Sequence, residues 1–409
     1  MSLEDLKDNL AVLNSFEFGN DFILGMSSII EDSPNSNYPS TSPLNLNSSA
    51  TITDATFYET ELLRVKQDIA IIKESGIHTY RFSLSWSQIL PDGIGKINYK
   101  AIEFYHAILD ACLENGIKPF VTLYDAILPE ALNEKGGWSN REILNWFEEY
   151  VSHCVAAFKD KVNHWILFND PCVFTGAHDF ISLNTIGKEK VTTFLAKLHH
   201  TQLSQSVGFK TIKKIAEKAQ VGVFFSCNYG VPLSFTNHDL RTVERVDALL
   251  NRLYIEPSLG LGYPEETLPF LKRISKYMLP EDNELIKVDF DFIGLNNYTR
   301  KIVTYNSYRP YLNAKILQYE TLRNKKNHLG LELYNELIYT IIKKYSDYNG
   351  VKKIYITDTV TPIEEPKNLN SIIGNKKSNT YISFLHQVHK ANQNGGKVKG
   401  LFTLHRKQN

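Results

Sequence analysis

Three aspartates and a histidine stand at the ends of apolar runs in this chain. Asp125 follows residues 118–124, Asp170 follows 163–169, Asp358 closes 352–358 and His405 closes 397–405. If those runs are strands of one parallel sheet, all four residues project from the same edge of it. Carboxylates and an imidazole converging there could take a divalent cation, which binds oxygen and nitrogen donors of this kind. In the competing arrangement they point to different sides of a wide mouth, and that is the expectation adopted: no resident metal and no cofactor. Cys112, Cys154, Cys172 and Cys227 form no Cys-x-x-Cys pair and lack metal-ligand spacing. They read as small buried hydrophobes in a reducing compartment. His199 and His200 lie on a helical pattern, where a surface or packing role accounts for them.

Positioning such residues takes a repeated scaffold, and the chain has one. Apolar runs rich in Val, Ile, Phe and Tyr recur at 21–27, 78–85, 118–124, 163–169, 220–227, 291–298, 352–358 and 397–405. Such composition suits strands buried on both faces. Helical patterns lie between them, for example 57–75, 99–115, 140–158 and 331–345, with Gly76 and Gly116 placed to end two of them. Eight strands alternating with helices predict an α/β fold, a single (β/α)8 TIM barrel over 1–409. An open doubly wound sheet is the second choice, and the absence of G-x-G-x-x-G and P-loop motifs counts against its nucleotide-binding form. The chain stops soon after the eighth run, so the barrel is expected to lack its last outer helix, with the amphipathic segment 3–13 available for part of the gap. Residues 33–49, dense in Ser, Pro, Asn and Thr, read as an irregular loop at the mouth, and 306–327 as a second excursion.

Composition narrows the partners. Of 409 residues, 43% are hydrophobic and 22% charged, and Lys plus Arg equals Asp plus Glu at 45 each. Zero net charge gives no long-range pull toward nucleic acid or an anionic membrane. The acidic N-terminus lacks the apolar core of a signal peptide, and no run approaches the roughly 20 apolar residues of a membrane span. A cytoplasmic protein with a small-molecule ligand is expected, with no nucleic-acid or membrane partner; a protein partner and the oligomeric state stay open.

Several motifs succeed one another in order. They are Thr79-Tyr80-Arg81-Phe82-Ser83-Leu84-Ser85-Trp86, Ile117-Lys118-Pro119-Phe120-Val121-Thr122-Leu123-Tyr124, Gly136-Gly137-Trp138 and Trp165-Ile166-Leu167-Phe168-Asn169-Asp170-Pro171. Phe292-Ile293-Gly294-Leu295-Asn296-Asn297-Tyr298-Thr299 and Ile354-Tyr355-Ile356-Thr357-Asp358 come later. From about 22 to 403 the chain resembles a family 1 glycoside hydrolase, a β-glucosidase-type barrel. The resemblance implies a retaining glycosidase acting on β-linked sugars, with one Glu as acid/base in Asn-Glu-Pro and another as nucleophile in Ile-Thr-Glu-Asn-Gly. Two such carboxyls sit roughly 5–5.5 Å apart.

Here both motif positions read Asp, at Asp170 and Asp358. Each loses a methylene, which on a fixed backbone withdraws the carboxyl by about 1–1.5 Å, and a 1 Å misplacement can cost on the order of 100-fold in rate. A pair moved apart approaches the roughly 6.5–9.5 Å spacing of inverting enzymes. The resemblance further matches Arg81 and Tyr298 to partners of the nucleophile, Asn169 to a contact of the sugar 2-hydroxyl and Asn296 to a pocket neighbour. Asp125 and Ala126 stand where the family has a sugar-binding His and an aromatic wall. The family's first-strand Gln has no match, and its Glu-Trp element is absent beyond His405. Two expectations result. The first is a divergent relative with lost or strongly reduced β-glucosidase activity and a glycoside- or partner-binding mouth. The second is a repurposed glycosidase hydrolysing an unusual O-glycoside with Asp170 as acid and Asp358 as nucleophile or base. Arg81, Asp125, Asn169, Asn296, Tyr298 and His405 are the expected substrate contacts in either case.

Overall fold

The computed structural model describes residues 16, 18, 19, 21–27, 55–182, 186–296, 300–317, 336–359 and 376–404. Strands among them are β1 (Ile23–Ser27), β2 (Thr79–Ser83), β3 (Lys118–Tyr124), β4 (His164–Asn169), β5 (Gln220–Ser226), β6 (Tyr229–Pro232), β7 (Phe292–Asn296), β8 (Arg300–Tyr305), β9 (Ala314–Ile316), β10 (Ile354–Thr359) and β11 (Val398–Leu404). Eight of them, β1 to β5 with β7, β10 and β11, pair in parallel and in chain order, and β11 closes on β1. This is the expected (β/α)8 barrel, and its strands correspond to the eight apolar runs.

The barrel interior is filled by rings. Phe120, Ile166, Phe224, Phe292, Tyr355 and Phe402, one from each of six strands, form a separate buried cluster. Side chains this large fit only where a facing strand carries none. A Cβ at Gly294 would stand 2.0 Å from the Phe224 ring, one at Gly222 2.4 Å from the Phe292 ring, and one at Gly25 2.4 Å from the Phe402 ring. Gly294→Ala should therefore destabilise the fold by about 1–3 kcal/mol through overpacking. Urea unfolding measures this, and an unchanged midpoint would mean that Phe224 moves aside freely.

Outside the sheet the predicted helices form with small shifts of boundary: Ala55–Glu74, Tyr99–Glu114, Ile143–Phe158 and Glu336–Ser346. Asn98 caps the second of these, accepting from the Lys100 N–H, and Gly116 comes after it with φ +71°. His199 and His200 sit on the long helix Lys188–Ile215 and are buried. His199 meets Asp282 at 2.8 Å and the Tyr263 hydroxyl at 2.9 Å, and His200 Nδ1 donates to the Trp138 carbonyl at 3.0 Å. Their role is packing, as expected. The four cysteines are buried and free.

The second excursion differs from its reading as irregular. Its residues 314–316 form β9, antiparallel to β8, which pairs in turn with β6 in a small sheet at the mouth. Strands this short leave no alternation to read. Residues 3–13, 33–49 and 318–327 lie outside the described ones. So do residues 405–409, where an outer helix was expected to be missing. No helix among the described residues is long and apolar enough to cross a membrane.

Candidate active site

Two strands interrupt their ladders just before a candidate carboxylate. On β4, Ile166 pairs with Gly222 of β5, but the next pair is Asn169 with Phe224. Three steps on one strand match two on the other, so β4 carries a bulge, a feature that bends a strand and re-aims the side chains beyond it. The bulge explains how Ile166 joins the ring cluster while Asn169, an odd number of residues later, also faces inward. On β10, Ile356 pairs with Leu401 and Thr359 with Thr403, which sets residues 357 and 358 together against residue 402. The side chain of Asp358 lies outside the described residues, as do Tyr298 and His405.

Asp170 comes directly after the β4 bulge. Its backbone is left-handed, at φ +52° and ψ 68°, a conformation that Asp tolerates better than most residues. Its N–H donates to the Phe224 carbonyl at 2.9 Å, and Pro171 starts the short helix Pro171–Thr175. The Ser226 hydroxyl, at the end of β5, donates to Oδ2, while Oδ1 is buried with no hydrogen-bond partner among the described residues. Burial pushes the Asp170 carboxyl up to about 6; the Ser226 hydrogen bonds oppose the rise, the Asp125 charge adds to it, and the Lys301 ammonium opposes it. The group is thus near half-protonation in weak acid, the state of a carboxyl able to donate a proton.

Asp125, just past β3, is fully engaged. Ser83 Oγ donates to one oxygen at 2.7 Å and Asn169 Nδ2 to the other at 2.9 Å. Ala126 turns the chain away with φ +68°, a strained value for a residue with a side chain. Arg81 is buried on β2. Its Nε donates to Thr122 Oγ1 at 3.4 Å, and its guanidinium lies 4.6 Å from the centre of the Phe224 ring. Asn296, at the end of β7, is buried and its Oδ1 lacks a partner among the described residues.

The structure thus brings Asp125 and Asn169 into contact, sets Asp170 beside them and places Arg81 over the ring that pairs with Asn169. Ser83 and Ser226 hold this site and were not anticipated. The available signal was the same one that singled out the aspartates, a polar residue ending an apolar run. Among the described residues no three His, Cys, Asp or Glu side chains are placed to hold a metal ion.

A barrel with polar side chains gathered at the C-terminal ends of its strands is the layout of a (β/α)8 enzyme. The family model described as Glycosyl hydrolase family 1 matches residues 41–405. The chain is 32% identical over 342 residues to a 1,4-beta-D-glucan glucohydrolase of Thermotoga neapolitana, covering 83% of this chain and 79% of that one. Beta-glucosidase A of Thermotoga maritima is 32% identical over 341 residues, covering 83% and 76%. A solved beta-glucosidase from Thermotoga maritima in complex with deoxynojirimycin superposes with a TM-score of 0.77 at 29% identity, covering 94% of this chain and 88% of that one. This chain belongs to glycosyl hydrolase family 1.

Proposed function

We propose that this protein is a β-glucosidase-like member of the family whose hydrolysis of ordinary β-glucosides is lost or strongly reduced, with a barrel mouth that still takes a small glycoside. The observation that carries this reading is the chain Ser83–Asp125–Asn169. A sugar site holds polar groups ready for hydroxyls. Here the Asn169 amide, which the resemblance assigns to the 2-hydroxyl, donates to Asp125, and Ser83 takes the other carboxylate oxygen. Both Asp125 oxygens and one Asn169 N–H are thus taken before any sugar arrives, while Oδ1 of Asn169, Asp170 and Asn296 is left open among the described residues. A panel of aryl β-glycosides tests the reading, using the unmodified protein and Asp358→Ala. Substantial turnover that disappears in the variant overturns it. A melting temperature that rises with added glycoside, without turnover, supports it, because a ligand bound only by the folded state stabilises that state.

One observation favours a second reading, residual hydrolysis with Asp170 as acid and Asp358 as nucleophile or base. Asp170 is the group burial keeps protonated up to about pH 6. Its folded value is raised, so the proton is present below about 6 and lost as pH rises through it. Any turnover should therefore fall above about pH 6. In Ser226→Ala the limb should move to higher pH, because the lost hydrogen bond favoured the ionised form. A rate that stays flat between pH 5 and 8 would rule out Asp170 as the donor.

A further inference from the structure

A line of contacts crosses the ends of five neighbouring strands at the mouth, β2, β3, β4, β5 and β7. Ser83 Oγ donates to Asp125 Oδ2 at 2.7 Å, and Asn169 Nδ2 donates to Asp125 Oδ1 at 2.9 Å. Asp170, the next residue, accepts from Ser226 Oγ, and Ser226 is paired in register with Asn296. Strand alternation from the ring residues Phe224 and Phe292 turns Ser226 and Asn296 inward. A carboxylate only accepts, so Asp125 fixes which end of the Asn169 amide faces it. The amide oxygen must then point elsewhere, and Asn169 Oδ1 is buried with no partner among the described residues. Asp170 Oδ1 and Asn296 Oδ1 are in the same state, and Asn296 is 7% exposed. Arg81 lies over the Phe224 ring, and none of the three oxygens accepts from it. An acceptor buried without a donor is costly, and a ligand that brings the donor removes the cost. A hydroxyl both donates and accepts. An ammonium only donates, and it adds a charge that the carboxylates of Asp125 and Asp170 favour.

We propose that Asp125 turns the Asn169 amide so that it offers oxygen rather than N–H to the ligand, and that the mouth thereby selects a 2-amino-2-deoxy glycoside. The proposal rests on the reading of the mouth as a glycoside site with Asn169 at the sugar 2-position. An ammonium there can donate to Oδ1 of both Asn169 and Asp170, which are consecutive residues. Exchanging a neutral hydrogen bond for a charge-assisted one should tighten binding about tenfold at low salt, and less as salt screens the charge.

Calorimetric titration with non-hydrolysable phenyl thio-β-D-glucosides tests it. The probes carry a hydroxyl, an ammonium or a fluorine at the 2-position, and one further probe moves the ammonium to the 6-position. The unmodified protein should bind the 2-ammonium probe about tenfold more tightly than the 2-hydroxyl probe, and the fluorine probe, which has no donor there, least well. Asp125→Asn should bring the ratio of 2-ammonium to 2-hydroxyl binding close to one, because the charge is gone and the amide at 169 is free to turn. Equal binding of the 2-ammonium and 2-hydroxyl probes by the unmodified protein overturns the proposal and leaves the glycoside reading standing. An equal gain for the 6-ammonium probe also overturns it, since that is a general pull on cations and not a choice made at Asn169. A ratio that a folded Asp125→Asn keeps overturns the role given to Asp125. If none of the probes binds, the glycoside reading fails and the proposal with it.

Discussion

Replacing Asp170 and Asp358 together by glutamate raises turnover of 4-nitrophenyl β-D-glucoside by about 100-fold or more, since a misplacement of roughly 1 Å already costs that much. The expectation comes from reach. In a retaining glycosidase the two carboxyls act on one bond from roughly 5–5.5 Å apart. On the proposed reading each aspartate stops about one methylene short. In Asp170, Oδ2 accepts from Ser226 at the end of β5, and Oδ1 meets no partner among the described residues. The gain should appear in kcat with little change in KM, because the added reach matters to the transition state more than to sugar binding. A folded double variant with unchanged kcat would show that the missing sugar contacts, rather than reach, limit the reaction.

The second large effect is on stability. Asp282→Ala should cost about 3–5 kcal/mol, the range for breaking a buried ion pair from one side. Asp282 is fully buried and accepts from Arg141 Nη1 at 2.8 Å and Nη2 at 2.5 Å, from the Leu279 N–H at 2.9 Å and at 2.8 Å from His199. Burial alone would raise its pKa, but hydrogen bonds from Arg141, Leu279 and His199 hold it at about 2. The variant leaves without their acceptor Arg141, two residues before the helix Ile143–Phe158, and His199, on the long helix Lys188–Ile215. At an unfolding entropy of about 2.1 cal/mol/K per residue, roughly 1.2 °C per kcal/mol for 409 residues, the melting temperature should fall by roughly 4–6 °C. The sign with pH is fixed by the lowered value. The stabilisation is complete above the ordinary carboxylate pKa and is lost as pH falls through about 2, so the deficit of the variant should shrink in strong acid. A loss below about 1 kcal/mol at pH 7 would mean that water replaces Asp282 at little cost.

Much of the fold was legible because barrel strands are apolar on both faces and recur between helices. The runs at 118–124 and 163–169 correspond to β3 and to β4 with one flanking residue. The chemistry at their ends was legible only in part. Asp125, Asn169 and Asp170 could each be singled out as polar residues ending such a run. The contact between Asp125 and Asn169 could not, because regular alternation puts Ile166 and Asn169 on opposite faces. Only the bulge on β4 brings both inward, and a continuous apolar run does not reveal a bulge. Ser83 and Ser226 escaped because a hydroxyl at a strand end is common and gains meaning only from the carboxylate it meets.

The extra residue in β4 has a consequence for how such a chain can change. The ladder to β5 is in register on both sides of it, at Ile166 with Gly222 and at Asn169 with Phe224. The ladder to β3 has no such step: Thr122 pairs with Ile166 and Tyr124 with Phe168. Deleting one residue between Ile166 and Asn169 would even the ladder to β5 but put β4 out of step with β3. The aim of residues 169 and 170 is thus tied to a strand whose two neighbours demand different lengths of it, and a change of length there cannot be made without cost on one side.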